Sequence, residues 1–254
     1  MKIAISGKGG VGKTTFAALL VRTLDAAGKK VLAIDADPDA NLASAVGVPG
    51  AGGIVPISEM KELIAERTES QPGSIGGFFK LNPKVDDLPD SLSARMNNIK
   101  LMRLGGVKKG GAGCICPEST MLKALVTHVV LSRNEVVVMD MEAGIEHLGR
   151  GTAQAVDRLV VVVEPGKRSI ETARHVRELA QQIRLSRISV VGNKVRGDKD
   201  EQFLREQLSD FDFLGFIPFD SGLIDADLAG QSPYGLADAP TEAVRQMAEK
   251  LGAL

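Results

Sequence analysis

At 254 residues, 44% of them hydrophobic and 25% charged, the chain has the material for one large soluble α/β unit. A formal net charge of −1 argues against nucleic acid or a membrane surface as a partner held by charge. No Trp and a single Tyr leave little to stack bases on, and no apolar run approaches a membrane span.

The first strand is Lys2-Ile3-Ala4-Ile5-Ser6, and it runs straight into Gly7-Lys8-Gly9-Gly10-Val11-Gly12-Lys13-Thr14-Thr15. A helix is predicted over Thr14–Ala27, so the G-x-x-x-x-G-K-[ST] spelling sits between a strand and a helix, where it reads as a phosphate site. Gly9, Gly10, Val11 and Gly12 let backbone N–H groups wrap an anion, and the helix N-terminus at Thr14 and Thr15 adds its positive dipole end. Lys13 reaches the β and γ phosphates, and Thr14 holds magnesium. A nucleoside triphosphate with Mg²⁺ is the expected ligand.

The second strand, Val31–Ala36, ends in Asp35-Ala36-Asp37-Pro38-Asp39. Pro38 stops the strand and leaves Asp37 on the loop beside the phosphates, with Asp35 or Asp39 in support. A helix is predicted over Ser58–Glu66. Residues 67–98 are richer in Pro, Gly, Asn and Asp and read as an irregular surface excursion. With the strand Ile99–Leu104 that follows, this stretch (67–117) leads into a cysteine motif.

That motif is Gly110-Gly111-Ala112-Gly113-Cys114-Ile115-Cys116-Pro117-Glu118. No export signal precedes the first strand, so a reducing, cytoplasmic setting is expected, where metal or redox chemistry outranks a structural disulfide. Residues i and i+2 of an extended chain project to the same side, so Cys114 and Cys116 can share one target. A disulfide between them would be strained. Two thiolates are half of a tetrahedral sulfur site, and a two-fold dimer would supply the other half. Metal binding is therefore expected there, and tetrahedral sulfur suits zinc. Simple core packing and a chance C-x-C are the competing readings.

The helix predicted over Glu118–Ser132 leads to Val136–Asp140, an apolar strand ending in an acid. This is the pattern in which Asp140 holds a magnesium-bound water. It continues as Met141-Glu142-Ala143-Gly144, where a flexible glycine can report hydrolysis. Further strands are predicted at Leu159–Glu164, Ile188–Asn193 and Phe213–Ile217. Further helices are predicted at Ser169–Arg184, Lys199–Ser209 and Thr241–Leu251. Apolar strands alternating with helices imply a mainly parallel sheet of about seven to eight strands flanked by helices, as one domain over 1–254. Asn193 and Lys194 close a strand on the nucleotide side, and position 196 is Arg where an acid would read guanine, so adenine is expected. His128, His147 and His175 are isolated and read as surface or satisfied residues, His147 remaining a candidate for coupling or extra ligation.

GKGGVGKTT, with its early Lys8, resembles the deviant Walker A motif of the MinD, ParA and nitrogenase iron protein superfamily. There the early lysine crosses a dimer interface to touch the partner's nucleotide. The resemblance implies a catalytic part for Lys8 and a homodimer whose closure depends on nucleotide. It also makes Asp37 the switch I residue that orients the attacking water, Asp140–Gly144 switch II, and Pro218, Phe219 and Asp220 a base-side loop.

The C-x-C after a glycine run, DMEAGIEHLGRGT (140–152) and VVVEPGKRSIETA (161–173) extend the resemblance, over essentially the whole chain, to the CooC-type ATPases. These mature carbon monoxide dehydrogenase by supporting nickel insertion, and close relatives serve acetyl-CoA synthase. The resemblance implies ATP hydrolysis to ADP coupled to metallocentre assembly, with such a nickel enzyme as client. A positioning or scaffold ATPase of the MinD or ParA type is the alternative. Against it, the chain ends MAEKLGAL with mixed charge rather than in a basic membrane helix, and its near-neutral charge advertises no DNA-binding face.

Overall fold

The computed structural model describes residues 1–70, 78–105, 117–132, 134–145 and 156–254. Eight strands form one sheet: β1 (Lys2–Ser6), β2 (Val31–Asp35), β3 (Ala94–Met96), β4 (Ile99–Arg103), β5 (Val136–Asp140), β6 (Arg158–Val163), β7 (Ile188–Val195) and β8 (Asp212–Pro218). Their spatial order is β3-β4-β2-β5-β1-β6-β7-β8. All pairings are parallel except β3 with β4 at the edge.

Side-chain alternation explains why both faces are covered. Ile3, Ile5, Val31, Ala33, Val138, Val160 and Val162 meet one layer, built from α1 (Lys13–Ala26), α2 (Leu42–Val46) and a C-terminal helix, Asp238–Leu251. In that last helix Val244, Met247, Ala248 and Leu251 recur at helical spacing and bury one stripe. Leu32, Ile34, Val137, Met139, Leu159, Val161 and Val163 face the opposite layer. There α3 (Lys61–Thr68) contributes Ile64, and a short α4 (Leu88–Ser91) contributes Leu88. Further along the chain, α5 (Pro117–Ser132) and α6 (Lys167–Gln182) complete that layer with Met121, Leu125, Ile170 and Val176. Beyond them α7 (Asp198–Gln207) packs Leu204 at its rim, α8 (Ser221–Leu228) follows β8, and the C-terminal helix is α9.

From β1 the chain moves outward on one side through β2 and β4 and returns to β5. It then crosses β1 to build β6, β7 and β8 on the other side. In open α/β sheets such a reversal opens a crevice beyond the carboxyl ends of the strands. The loops after β1, β5 and β6 surround it.

All seven strands expected from the sequence are present; β3 is the eighth. It corrects the reading of 67–98 as irregular throughout, as does α4. Asn97 takes a left-handed φ of 51°, turning β3 into β4. The buried carboxylate of Asp25 accepts from the Asn97 side chain and from both the backbone N–H and the side chain of Asn98. That turn is held from outside, by the end of α1. The cysteine pair Cys114 and Cys116, and His147, lie outside the described residues. No helix among the described residues is long and apolar enough to cross a membrane.

Candidate nucleotide site

Between β1 and α1 the loop is built on two glycines that tolerate no side chain. Gly7 has φ 146°, and a Cβ there would run into the Val162 carbonyl of β6; Gly12 has φ 92°, and a Cβ there would run into the Asn193 side chain. Gly12 is also the N-cap of α1 and provides no side-chain cap. The N–H groups of the first turn, at Lys13, Thr14 and Thr15, therefore face outward as donors at the positive end of the helix dipole. Gly9 and Gly10 carry open space where a Cβ would stand, so the loop's outer side is free for an anion.

The basic side of the site lies over β1, β6 and β7. Lys13 is buried, and its ammonium donates to the Lys8 carbonyl at 3.4 Å. Asn193 is buried beneath the loop, donating through Nδ2 to the Val11 carbonyl at 2.7 Å while its Oδ1 accepts from the Lys194 N–H at 2.8 Å. Lys194 takes a left-handed φ of 57° and donates to the Gly10 carbonyl at 2.6 Å. Glu164, just past β6, pairs with Lys8 at 3.3 Å and with Lys194 at 3.2 Å. Pro218, Phe219 and Asp220 form a short corner at the end of β8. The Phe219 N–H donates to the Val195 carbonyl at 2.9 Å, and Phe219 is 54% exposed, next to Pro218. Asp220 caps α8, accepting from the Gly222 N–H at 2.7 Å. Arg196 is held by Asp200 at 2.9 Å.

On the acidic side, Asp35 of β2 and Asp140 of β5 are register partners at the carboxyl edge, both buried. Thr14 donates its hydroxyl to Asp140 Oδ2 at 2.6 Å, while Asp140 Oδ1 is buried without a partner among the described residues. Burial, with the nearby charge of Asp35 adding to it, pushes the Asp140 carboxyl up to about 7 against the pull of the Thr14 bond and Lys13. Burial likewise raises Asp35 to about 6, although its oxygens accept from the N–H groups of Leu42 at 2.9 Å and Asp37 at 3.3 Å. Asp35 thus ties the turn that carries Asp37 to the start of α2. Asp37 is half-buried and accepts from the Asp39 N–H at 3.0 Å. Ser6 Oγ lies 3.1 Å from the Glu142 carbonyl and 3.0 Å from that of Gly144, holding the segment after β5 to the end of β1.

These residues fit a magnesium nucleotide. An unpartnered buried carboxylate oxygen beside a threonine hydroxyl wants a cation, and the uncapped helix end next to it wants an anion. Among the described residues no group of three or more His, Cys, Asp or Glu could hold a metal alone, so phosphate oxygens and water would complete the coordination. The motif residues at the ends of β1, β2, β5 and β7 thus lie along one carboxyl edge of the sheet. Less visible in sequence are Glu164 and Ser6, whose partners are remote in the chain. The only local hint for Glu164 is an acid ending the apolar strand Val160–Val163.

Residues 2–234 match the CobQ/CobB/MinD/ParA nucleotide binding domain. Over 241 residues the chain is 48% identical to the carbon monoxide dehydrogenase accessory protein CooC of Rhodospirillum rubrum, covering 94% of this chain and 91% of that protein. It is 44% identical over 234 residues to an ATP-binding protein of Methanocaldococcus jannaschii, covering 91% of this chain and 90% of that one. The MinD cell division protein of Aquifex aeolicus shares the fold at a TM-score of 0.70 and 21% identity, covering 100% of this chain and 98% of that chain. The chain belongs to the CobQ/CobB/MinD/ParA family of nucleotide-binding proteins and, within it, to the CooC-type ATPases.

Proposed function

We propose that the chain works as a homodimeric, magnesium-dependent ATPase that carries nickel and supports its insertion into the cluster of carbon monoxide dehydrogenase or acetyl-CoA synthase. The observation that carries the nucleotide half of this reading is the Thr14–Asp140 pair, with its free oxygen, beside an uncapped helix N-terminus. ATP lies along the loop from Gly9 to Thr15, with Lys13 on its terminal phosphates and Mg²⁺ held by Thr14 and, through water, by Asp140. Asp37 orients the attacking water, and Lys8 contributes from the partner protomer. Asn193, Lys194 and the corner at Pro218, Phe219 and Asp220 surround the adenine side.

The metal half rests on Cys114 and Cys116 and on the likeness to CooC over nearly the full chain. Two cysteines from each protomer make one four-sulfur site at the dimer axis, and zinc could occupy it as well. Closure around ATP and movement of the Asp140–Gly144 segment after hydrolysis govern release of the ion to the client in the cytoplasm. The test is equilibrium dialysis of Ni²⁺ against full-length protein with and without Mg-ATP. One ion per two chains is expected, lost in Cys114→Ser and in Cys116→Ser while ATP still binds, and weakened as pH falls because thiolates must be deprotonated. One ion per chain would remove the bridging site. Undiminished binding in the double serine variant would remove cysteine ligation and leave a positioning or scaffold ATPase.

A further inference from the structure

Lys8 does not project freely from this protomer. Its ammonium is 3.3 Å from Glu164 Oε1, and the other oxygen of the same carboxylate is 3.2 Å from Lys194 Nζ. Two of these three groups are anchored. The Glu164 backbone N–H donates to the buried hydroxyl of Ser169 at 3.0 Å, and β6 packs so closely on the loop that Gly7 admits no Cβ. Lys194 is fixed by its left-handed backbone and by its bond to the Gly10 carbonyl at 2.6 Å. Lys8 has no comparable tether: among the described residues its ammonium meets Glu164 alone. Of the three it is the one able to leave.

We infer that Glu164 is a latch that holds Lys8 against its own protomer until nucleotide phosphates take over its charge. The inference rests on the reading above that Lys8 acts across a dimer interface. A lysine paired to Glu164 in its own chain cannot at the same time extend to a neighbour's nucleotide, so the ion pair opposes closure. Phosphates arriving over Gly9 and Gly10 bring negative charge beside the Glu164 carboxylate, repel it, and compete for Lys194 and Lys8. Lys194 stays on the Gly10 carbonyl and keeps Glu164 in place, while Lys8 is released outward. The pair is partly exposed, so the latch is weak, as a reversible switch requires. Glu164 is therefore a positioning residue that acts through Lys8.

The experiment compares full-length wild type with Glu164→Gln, Glu164→Asp, Lys8→Ala and the double variant Glu164→Gln/Lys8→Ala, following monomer and dimer by sedimentation velocity as Mg-ATP is added. Thermal melts establish that each variant is folded. Glu164→Gln keeps the shape and removes the charge, so half-maximal dimerisation should need about two- to tenfold less ATP. Glu164→Asp, which keeps the carboxylate, should return towards wild type. The gain should vanish in the Lys8→Ala background, since the two residues then act as a pair. Wild-type or weaker dimerisation in Glu164→Gln would overturn the latch, and so would a gain that survives without Lys8. If Lys8→Ala itself dimerises like wild type, the cross-interface reading fails instead, which separates the two claims.

Discussion

The two halves of the nucleotide crevice solve their charge problem in opposite ways. Over β2 and β5, Asp35 and Asp140 are buried; burial raises both carboxyl groups, and one oxygen of Asp140 has no partner among the described residues. Over β1, β6 and β7, Lys8 and Lys194 remain partly exposed and are balanced by a carboxylate of the same chain, Glu164. Charges in the buried half interact strongly because little water screens them, whereas ion pairs at the rim are worth little. The acidic half thus leaves a buried carboxylate oxygen that a cation would satisfy. The basic half is paired within the chain among the described residues. Substitutions over β2 and β5 should disturb metal use and chemistry, and those at the rim should disturb affinity and association.

Lys13 would break that division most sharply, because it belongs to the basic half yet is buried. Lys13→Ala should lower ATP turnover by on the order of 10³-fold, measured as phosphate release at saturating ATP. A loss of only a few-fold would put Lys13 with the rim lysines. Asp37→Asn should slow turnover roughly 10²-fold and bind ATP within a few-fold of wild type, since it affects the position of water rather than the anchoring of phosphate. Fluorescent-nucleotide titration beside single-turnover kinetics separates these; wild-type turnover would remove Asp37 from the chemistry.

Asp35 sharpens the comparison through pH. Its carboxyl stands at about 6 in the folded protein, above its ordinary 3.8, because burial penalises the charged form. The folded state therefore binds the proton more tightly. The resulting stabilisation is fully present below about pH 4 and is lost as pH rises through about 6. In the absence of nucleotide, the stability of wild type relative to Asp35→Asn should fall by on the order of 2 to 3 kcal/mol across that window, read from urea melts. A difference that stays flat with pH would mean that Asp35 is not strained by burial. The smallest effect concerns the base. With Arg196 turned to Asp200, no acid stands at the guanine-reading position, and GTP should be used about tenfold less efficiently than ATP. Equal use would contradict the adenine assignment.

What could be read from the sequence follows how local the causes are. The strand–loop–helix at Lys2–Ala26 is spelled in consecutive residues, and an apolar run ending in Asp140 announces both a strand and a metal-side acid. The short elements are barely legible because packing decides them. The three-residue β3 exists through its pairing with β4 and through the grip of Asp25 on Asn97 and Asn98, and the four-residue α4 through burial of Leu88. The double Asn at 97 and 98 was the one local signal for that hairpin, since Asn accepts a left-handed turn. Glu164 could not be paired with Lys8 from sequence, because 156 positions separate them. Only the parallel neighbourhood of β1 and β6 brings them together.

The claim that the acidic half is a metal seat within a nucleotide site is tested most directly by titrating Mg²⁺ into wild type and Asp140→Asn at fixed ATP while following phosphate release. Wild type should show no turnover without Mg²⁺ and saturate with it, and Asp140→Asn should need at least about tenfold more Mg²⁺ or fail to respond at all. Turnover independent of Mg²⁺, or an unchanged Mg²⁺ requirement in Asp140→Asn, would contradict the account.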